Sequence, residues 1–151
     1  MNSEPVILTM VLVFLIAVIL IVFILAFFYK LMASLNKSGG FPLISKRWPA
    51  ELIPPGKGFS RQSIAMGSTW YKNCANLVVA DEGLYISLGF PFSMGTLRGG
   101  IIPWGYLEYQ KKVGTFWTDA YEYEIMMDEP IILTVMRSVA MSFPEHMKPV
   151  D

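Results

Sequence analysis

The chain is short of the residues that carry most side-chain chemistry: it has one cysteine, Cys74, and one histidine, His146, among 151 residues. A lone cysteine excludes an intramolecular disulfide, and a single histidine beside it excludes a four-ligand structural zinc site. It suits a reducing compartment. No haem-attachment CxxCH motif and no iron–sulfur cysteine set can be written, so no cofactor and no metal is expected. A hydrolase needs a nucleophile with a positioned base. His146, in PEHMKP near the end of the sequence, is expected to be solvated rather than a base. Lys72 is near enough in sequence to lower the Cys74 thiol pKa. Without a histidine partner, though, Cys74 is expected to be a small packed residue. The segment GTLRGG (95–100) lacks the GKS or GKT ending of a phosphate loop, so Arg98 is expected on an exposed loop. The acidic pairs Asp81-Glu82 and Asp128-Glu129 supply too few oxygens for calcium. No catalytic residue is assigned, and the chain is expected not to be an enzyme.

Charge is lacking as well. The formal net charge is zero, and no charged residue lies between Glu4 and Lys30. The intervening run, Val6 to Tyr29, reads VILTMVLVFLIAVILIVFILAFFY. At ~1.5 Å per helical residue it reaches roughly 36 Å, enough to cross a ~30 Å hydrocarbon core. Thr9 is nearly its only polar member, and its hydroxyl can bond back to the preceding turn. A cleaved signal peptide is the competing reading. It would need a basic leader and an apolar stretch of about 7–15 residues. Here the leader MNSEP carries one acid and no base, and the run is longer. The segment holds no ionisable group and no GxxxG motif, so it offers no proton relay and no close small-residue dimer face. It serves either as a simple anchor or as a helix that packs by shape against larger membrane partners.

The flanks set an expected orientation. Glu4 precedes the run, while Lys30, Lys37, Lys46 and Arg47 follow it. Basic residues stay on the cytoplasmic side, which puts residues 1–5 outside and the rest inside. Residues 30–61 hold six basic residues (Lys30, Lys37, Lys46, Arg47, Lys57 and Arg61) against Glu51 alone. These six are the candidate juxtamembrane contacts to anionic headgroups, each worth ~1 kcal/mol when close to the surface. Ordinary positive-inside bias explains the same charges. Residues 62–151 carry six bases and ten acids, which argues against nucleic acid as a partner.

Residues 30–59 read as a basic, Pro/Gly-rich linker. Gly39-Gly40, Pro42, Pro49, Pro54-Pro55, Gly56 and Gly58 are expected to break helix and central strand. Trp48 could sit at a lipid interface or cap the domain core. Residues 60–151 read as short strands separated by turn signals. Ser60–Tyr71 is expected to supply the first strand. Asn76–Ala80 and Leu84–Leu88 flank Asp81-Glu82-Gly83, a hairpin in which Gly83 would take positive φ. Tyr121, Tyr123 and Ile125 alternate with Glu122 and Glu124, and Asp128-Glu129-Pro130 turns into Ile131–Met136. Only Val139–Met147 offers a late short helix, interrupted by Pro144. The fold class is therefore all-β with minor α: a small antiparallel barrel or sandwich behind one N-terminal transmembrane helix.

The stretches NLVVADEGLYISLGFPF (76–92) and GGIIPWGYLEYQ (99–110) resemble bacterial pleckstrin-homology-like (PH/GRAM-type) domains, through Gly83, Leu84 and Tyr85, then Ile102, Pro103 and Trp104. The chain also resembles small bacterial single-pass proteins built from one helix and such a domain. The resemblance covers roughly residues 60–137. It implies a seven-stranded, strongly bent sheet closed at one end by a C-terminal helix, with binding or scaffolding rather than catalysis. Each motif residue also has a structural explanation: Leu84 and Ile86 face the core, Tyr85 faces either way, Pro103 sets a strand start, and Trp104 fills the barrel. Two functions are expected from this. One is an accessory subunit in a larger bacterial membrane complex, with membrane lipids and integral-membrane proteins as partners. The other is a freestanding anchored module for anionic headgroups or peptides.

Overall fold

An apolar run free of glycine and of proline after its first turn has nothing to stop a helix, and in the computed structural model it does not stop at Tyr29. Helix α1 spans Glu4–Ser38. The structure describes residues 4–38, 40–93, 98–114 and 118–150. The segment Pro5–Ser34 is long and apolar enough to cross a membrane, and none of its most apolar window is buried. Thr9 Oγ1 donates to the Pro5 carbonyl at 2.7 Å, so the one hydroxyl in the run is satisfied within the helix.

The first departure from expectation follows. Residues 41–47, read from sequence as broken linker, form helix α2 (Phe41–Arg47). The residues taken as breakers start it. Gly40 adopts φ +74°, open to glycine without steric cost, and Pro42 occupies the first turn, where its missing N–H costs nothing. Phe41 and Ile44 are fully buried in the domain core. The junction is also tied down, since a Cβ built on Gly40 would lie 3.1 Å from Ile131 Cγ2 and 3.6 Å from Met66 Cγ.

Eight antiparallel strands follow: β1 (Pro49–Ala50), β2 (Lys57–Met66), β3 (Thr69–Val79), β4 (Gly83–Leu88), β5 (Gly99–Pro103), β6 (Leu107–Gly114), β7 (Asp119–Ile125) and β8 (Ile131–Met136). Their order in one sheet is β1-β5-β4-β3-β2-β8-β7-β6. Two meanders, β2 to β5 and β6 to β8, are thus joined where β2 pairs with β8 through Ala65↔Thr134 and Met66↔Leu133. The domain is all-β with minor helix. A single hydrophobic cluster draws on both meanders, with Ile64, Leu84 and Ile86 from one and Tyr121, Tyr123 and Leu133 from the other. After β8 come helix α3 (Arg137–Ala140) and a 3-10 turn at Glu145–Met147. Pro144 separates them, and Val139, Ala140, Phe143 and Met147 close the core.

Both expected hairpins form, with altered detail. The stretch Ser60–Tyr71 is not one strand: the chain turns at Gly67, φ +60°, so that it contributes to both β2 and β3. Gly83 is not at positive φ; it opens β4, pairs with Pro103, and is packed so that a Cβ would lie 2.2 Å from the Ile102 carbonyl oxygen. Its glycine serves close backbone approach rather than turn geometry. Leu84 and Ile86 are fully buried, and Tyr85 is 6% exposed, so β4 is covered on both faces. Pro103 ends β5 and leads into a 3-10 turn, Trp104–Tyr106, before β6 begins.

Candidate functional site

A concave feature of the domain lies where the start of β2, the end of β3 and the C-terminal segment meet. It is a cleft of about 480 Å³, within the range of small-ligand sites. Val79, Trp104, Phe143 and Pro144 supply its apolar wall, and Lys57, Asp81, Ser142 and His146 its polar groups. Trp104 is fixed from behind: its indole nitrogen donates to the Ala80 carbonyl at 3.0 Å, and its ring meets Phe143 at 5.1 Å between centroids. Lys57 Nζ donates to Ser142 Oγ at 2.9 Å and lies 5.4 Å from the centre of the Phe59 ring. Ser142 Oγ in turn donates to the Ser138 carbonyl at 3.1 Å.

That chain of contacts decides what the cleft can do. Lys57 is solvent-exposed and acts as a donor to the hydroxyl, whereas a lysine base must be desolvated and neutral. The Ser142 proton is already given to a carbonyl. The arrangement offers a cation, a hydroxyl and an imidazole beside a flat aromatic wall, with the Asp81 carboxylate at the rim. It can hold an anionic or polar group at Lys57 with an apolar body against Trp104.

His146 and Lys57 belong to this cleft, which sequence alone did not bring together. His146 is exposed, as expected, but lines the cleft with Ser142 rather than standing apart. Of the six basic candidates, Lys30 is exposed on α1 just beyond Tyr29, Lys37 falls in the last turn of that helix, and Lys46 and Arg47 are exposed at the end of α2. Lys57 lies at the far end of β2 from Met66, the residue that packs on Gly40. Nine strand steps separate them, roughly 25–30 Å. Arg61 sits partway along that strand at φ +52°, its backbone N–H donating to Asn76 Oδ1 at 3.2 Å. The six bases are therefore spread along the molecule, and only Lys30, Lys37, Lys46 and Arg47 flank the α1–α2 junction. Arg47 is further engaged by the domain, 5.2 Å from the Trp48 ring centre and 5.8 Å from that of Tyr106. Trp48 packs on the core, its ring 5.1 Å from Tyr106, so of its two expected positions it takes the domain side.

The remaining candidates are placed as follows. Residues 95–97 of GTLRGG lie outside the described residues. Arg98 is exposed and pairs with Glu51, while its backbone carbonyl accepts from Ser45 Oγ at 2.7 Å. Asp81, Glu82, Asp128 and Glu129 are exposed on their turns. Cys74 is buried, and burial pushes its thiol pKa up, away from the reactive thiolate. Among the described residues no group of three His, Cys, Asp or Glu is arranged to hold a metal ion.

These features define an all-β protein carrying one N-terminal helix long and apolar enough to span a membrane. Comparison with protein-family models, curated proteins and solved structures finds no match to this chain.

Proposed function

We propose that this protein is a non-catalytic, single-pass membrane component of bacterial type, with α1 as its span and a PH-like domain held at the cytoplasmic face, acting as an accessory subunit of a larger membrane assembly. The observation that carries this reading is the coupling of α1 to the domain. The most apolar window of α1 is entirely unburied, while α1 contacts α2 and β3, and α2 sets Phe41 and Ile44 in the domain core. A helix with an exposed apolar surface, close in sequence to a helix built into the domain core, suits a part that packs on other helices and fixes the domain beside them. The strand order, two meanders joined at β2–β8 and closed by α3 and the C-terminal turn, supports the PH-like assignment.

Purification of the full chain in mild detergent is expected to bring down one or more integral-membrane proteins, which are lost when α1 is replaced by an unrelated transmembrane helix. A clean monomer overturns the subunit reading. An alkaline phosphatase fused after Asp151 is expected to be inactive, and activity would reverse the orientation.

The Lys57 cleft favours a second reading, a module for anionic headgroups or peptides. Neutralising Lys46, Arg47 and Lys57 together would then weaken binding to anionic vesicles, and unchanged binding removes this reading.

A further inference from the structure

The end of the domain joined to α1 carries large apolar side chains that the fold leaves uncovered. Gly40 packs on Met66 and Ile131, so this end is formed by the β2–β3 turn, the β7–β8 turn and α2. Met66 pairs with Thr69, and the next residue, Trp70, is 51% exposed. Tyr71, its neighbour, points inward and meets the Phe92 ring edge-on at 5.0 Å. That contact brings the loop after β4 to the same end, where Phe90 is 74% exposed. Leu43, on the outer face of α2, is 48% exposed. Away from this end Tyr121 and Tyr123 are fully buried, while Tyr106 is 40% exposed and Leu52 and Ile53, before β2, are exposed as well.

Chain length says what meets this surface. α1 runs about 13 Å past Tyr29, and a headgroup layer adds roughly 5–8 Å to each side of the hydrocarbon. The uncharged run Val6 to Tyr29 reaches roughly 36 Å as a helix, more than a ~30 Å bilayer core needs. A span that exceeds the core tilts or sinks, which lowers the α1–α2 junction into the headgroup layer. Helix α2 is packed into the domain core and α1 contacts both α2 and β3, which holds the domain beside α1. Trp and Phe at that depth are in the environment amphipathic aromatics favour.

We propose that Trp70, Phe90 and Leu43 seat this end of the domain on the lipid interface, making a second membrane contact besides α1. The inference rests on the reading of α1 as a span. Exposed Asp128 and Glu129 offset only part of the basic charge of exposed Lys46, Arg47 and Lys72 at this end, and the large apolar side chains supply a contact that does not depend on anionic lipid. It therefore forms on zwitterionic lipid.

The test uses the full chain, with Cys74→Ala, in phosphatidylcholine nanodiscs. Nitroxide labels are placed singly through Trp70→Cys, Phe90→Cys, Glu82→Cys on the far β3–β4 turn, and Val18→Cys at mid-helix. Labels at 70 and 90 are expected to be reached by oxygen and shielded from a water-soluble nickel chelate, while 82 is open to the chelate and 18 is deep. Chelate access at 70 and 90 equal to that at 82, with 18 deep, overturns the interfacial seat and leaves the span intact. Shielding of 70 and 90 from both reagents marks contact with protein and overturns it as well. Chelate access at 18 overturns the span and the seat together. In the chain with its native cysteine, lipids brominated near the headgroup are expected to quench tryptophan emission, and Trp70→Phe to remove the larger share of that quenching. Undiminished quenching counts against the seat.

Discussion

The Gly83 backbone lies directly against Ile102, with room for a hydrogen and none for a methyl. A Cβ there would stand 2.2 Å from the Ile102 carbonyl oxygen and 3.0 Å from the Pro103 Cα, both backbone atoms that cannot rotate away. Gly83→Ala must therefore shift β4 against β5 and is expected to cost about 1–3 kcal/mol, as overpacked sites do. Gly58→Ala is the matched control, because nothing lies within 4 Å of its Cβ position. Thermal unfolding in detergent should lower the midpoint by several degrees for Gly83→Ala and leave Gly58→Ala close to the parent. Equal midpoints would show that β4 and β5 have slack between them.

The two hairpins were legible because each rests on local signals: alternating side chains in Tyr121–Ile125, and in both an acidic turn followed by a run of mostly apolar residues. The role of Gly83 was not, since close approach depends on a strand that arrives twenty residues later. Helix α2 was missed for a related reason. Gly40 and Pro42 look like breakers in a list of residues, whereas in the fold one supplies the left-handed turn before a helix and the other its first turn. Whether they end or begin a helix is decided by Phe41 and Ile44 finding a core. The cleft was invisible because Lys57 and His146 meet only after the sheet has folded.

Trp104 was expected to fill the core, and it does so with a polar constraint that composition does not reveal. Its indole N–H is the donor to the buried Ala80 carbonyl. Trp104→Phe keeps an aromatic ring against Phe143 but leaves that carbonyl without its partner. An unsatisfied buried acceptor costs about 1–3 kcal/mol. The variant should fold, melt lower, and show faster amide exchange at Ala80, whose N–H donates to the Gly83 carbonyl. Unchanged stability would mean that the Ala80 carbonyl contributes nothing to closing this end of the sheet.

Tyr71 and Tyr123 are both buried tyrosines, and they are expected to respond oppositely to loss of the hydroxyl. Tyr123 donates to the Met147 carbonyl at 3.1 Å, whereas the Tyr71 hydroxyl has no hydrogen-bond partner among the described residues. Tyr123→Phe should cost about 0.5–1.5 kcal/mol, while Tyr71→Phe should leave stability unchanged or raise it by about 1 kcal/mol. Burial, and secondarily Cys74, pushes the Tyr71 pKa up to about 12. A phenol with a raised folded-state pKa ionises first in the unfolded chain. Its contribution is intact below about pH 10 and is lost as pH rises from there through about 12. Tyr71→Phe should therefore flatten part of the alkaline loss of stability in that window, read by denaturant unfolding at stepped pH. A slope identical to the parent would mean that Tyr71 ionises without opening the core.

Phe41 carries the last prediction, because it separates a tether from a structural part. If residues 41–47 only connected α1 to the domain, trimming them would be neutral. Phe41 and Ile44 are fully buried, Ser45 donates to the Arg98 carbonyl, and a Cβ on Gly100 would lie 3.1 Å from Ile44 Cγ2, so α2 closes the gap beside β5. Phe41→Ala should cost about 3–5 kcal/mol, the range for a large aromatic removed from a core. A fragment of residues 41–151 should fold with a cooperative melt, and one of residues 49–151 should expose the core and aggregate. Because α2 cannot detach without that cost, the domain stays fixed to α2, and the contacts of α1 with α2 and β3 position it beside that helix. A flexible insertion at the junction should release that position and leave the domain's melting point unchanged. Loss of the melt on insertion would mean instead that α1 itself holds the domain folded.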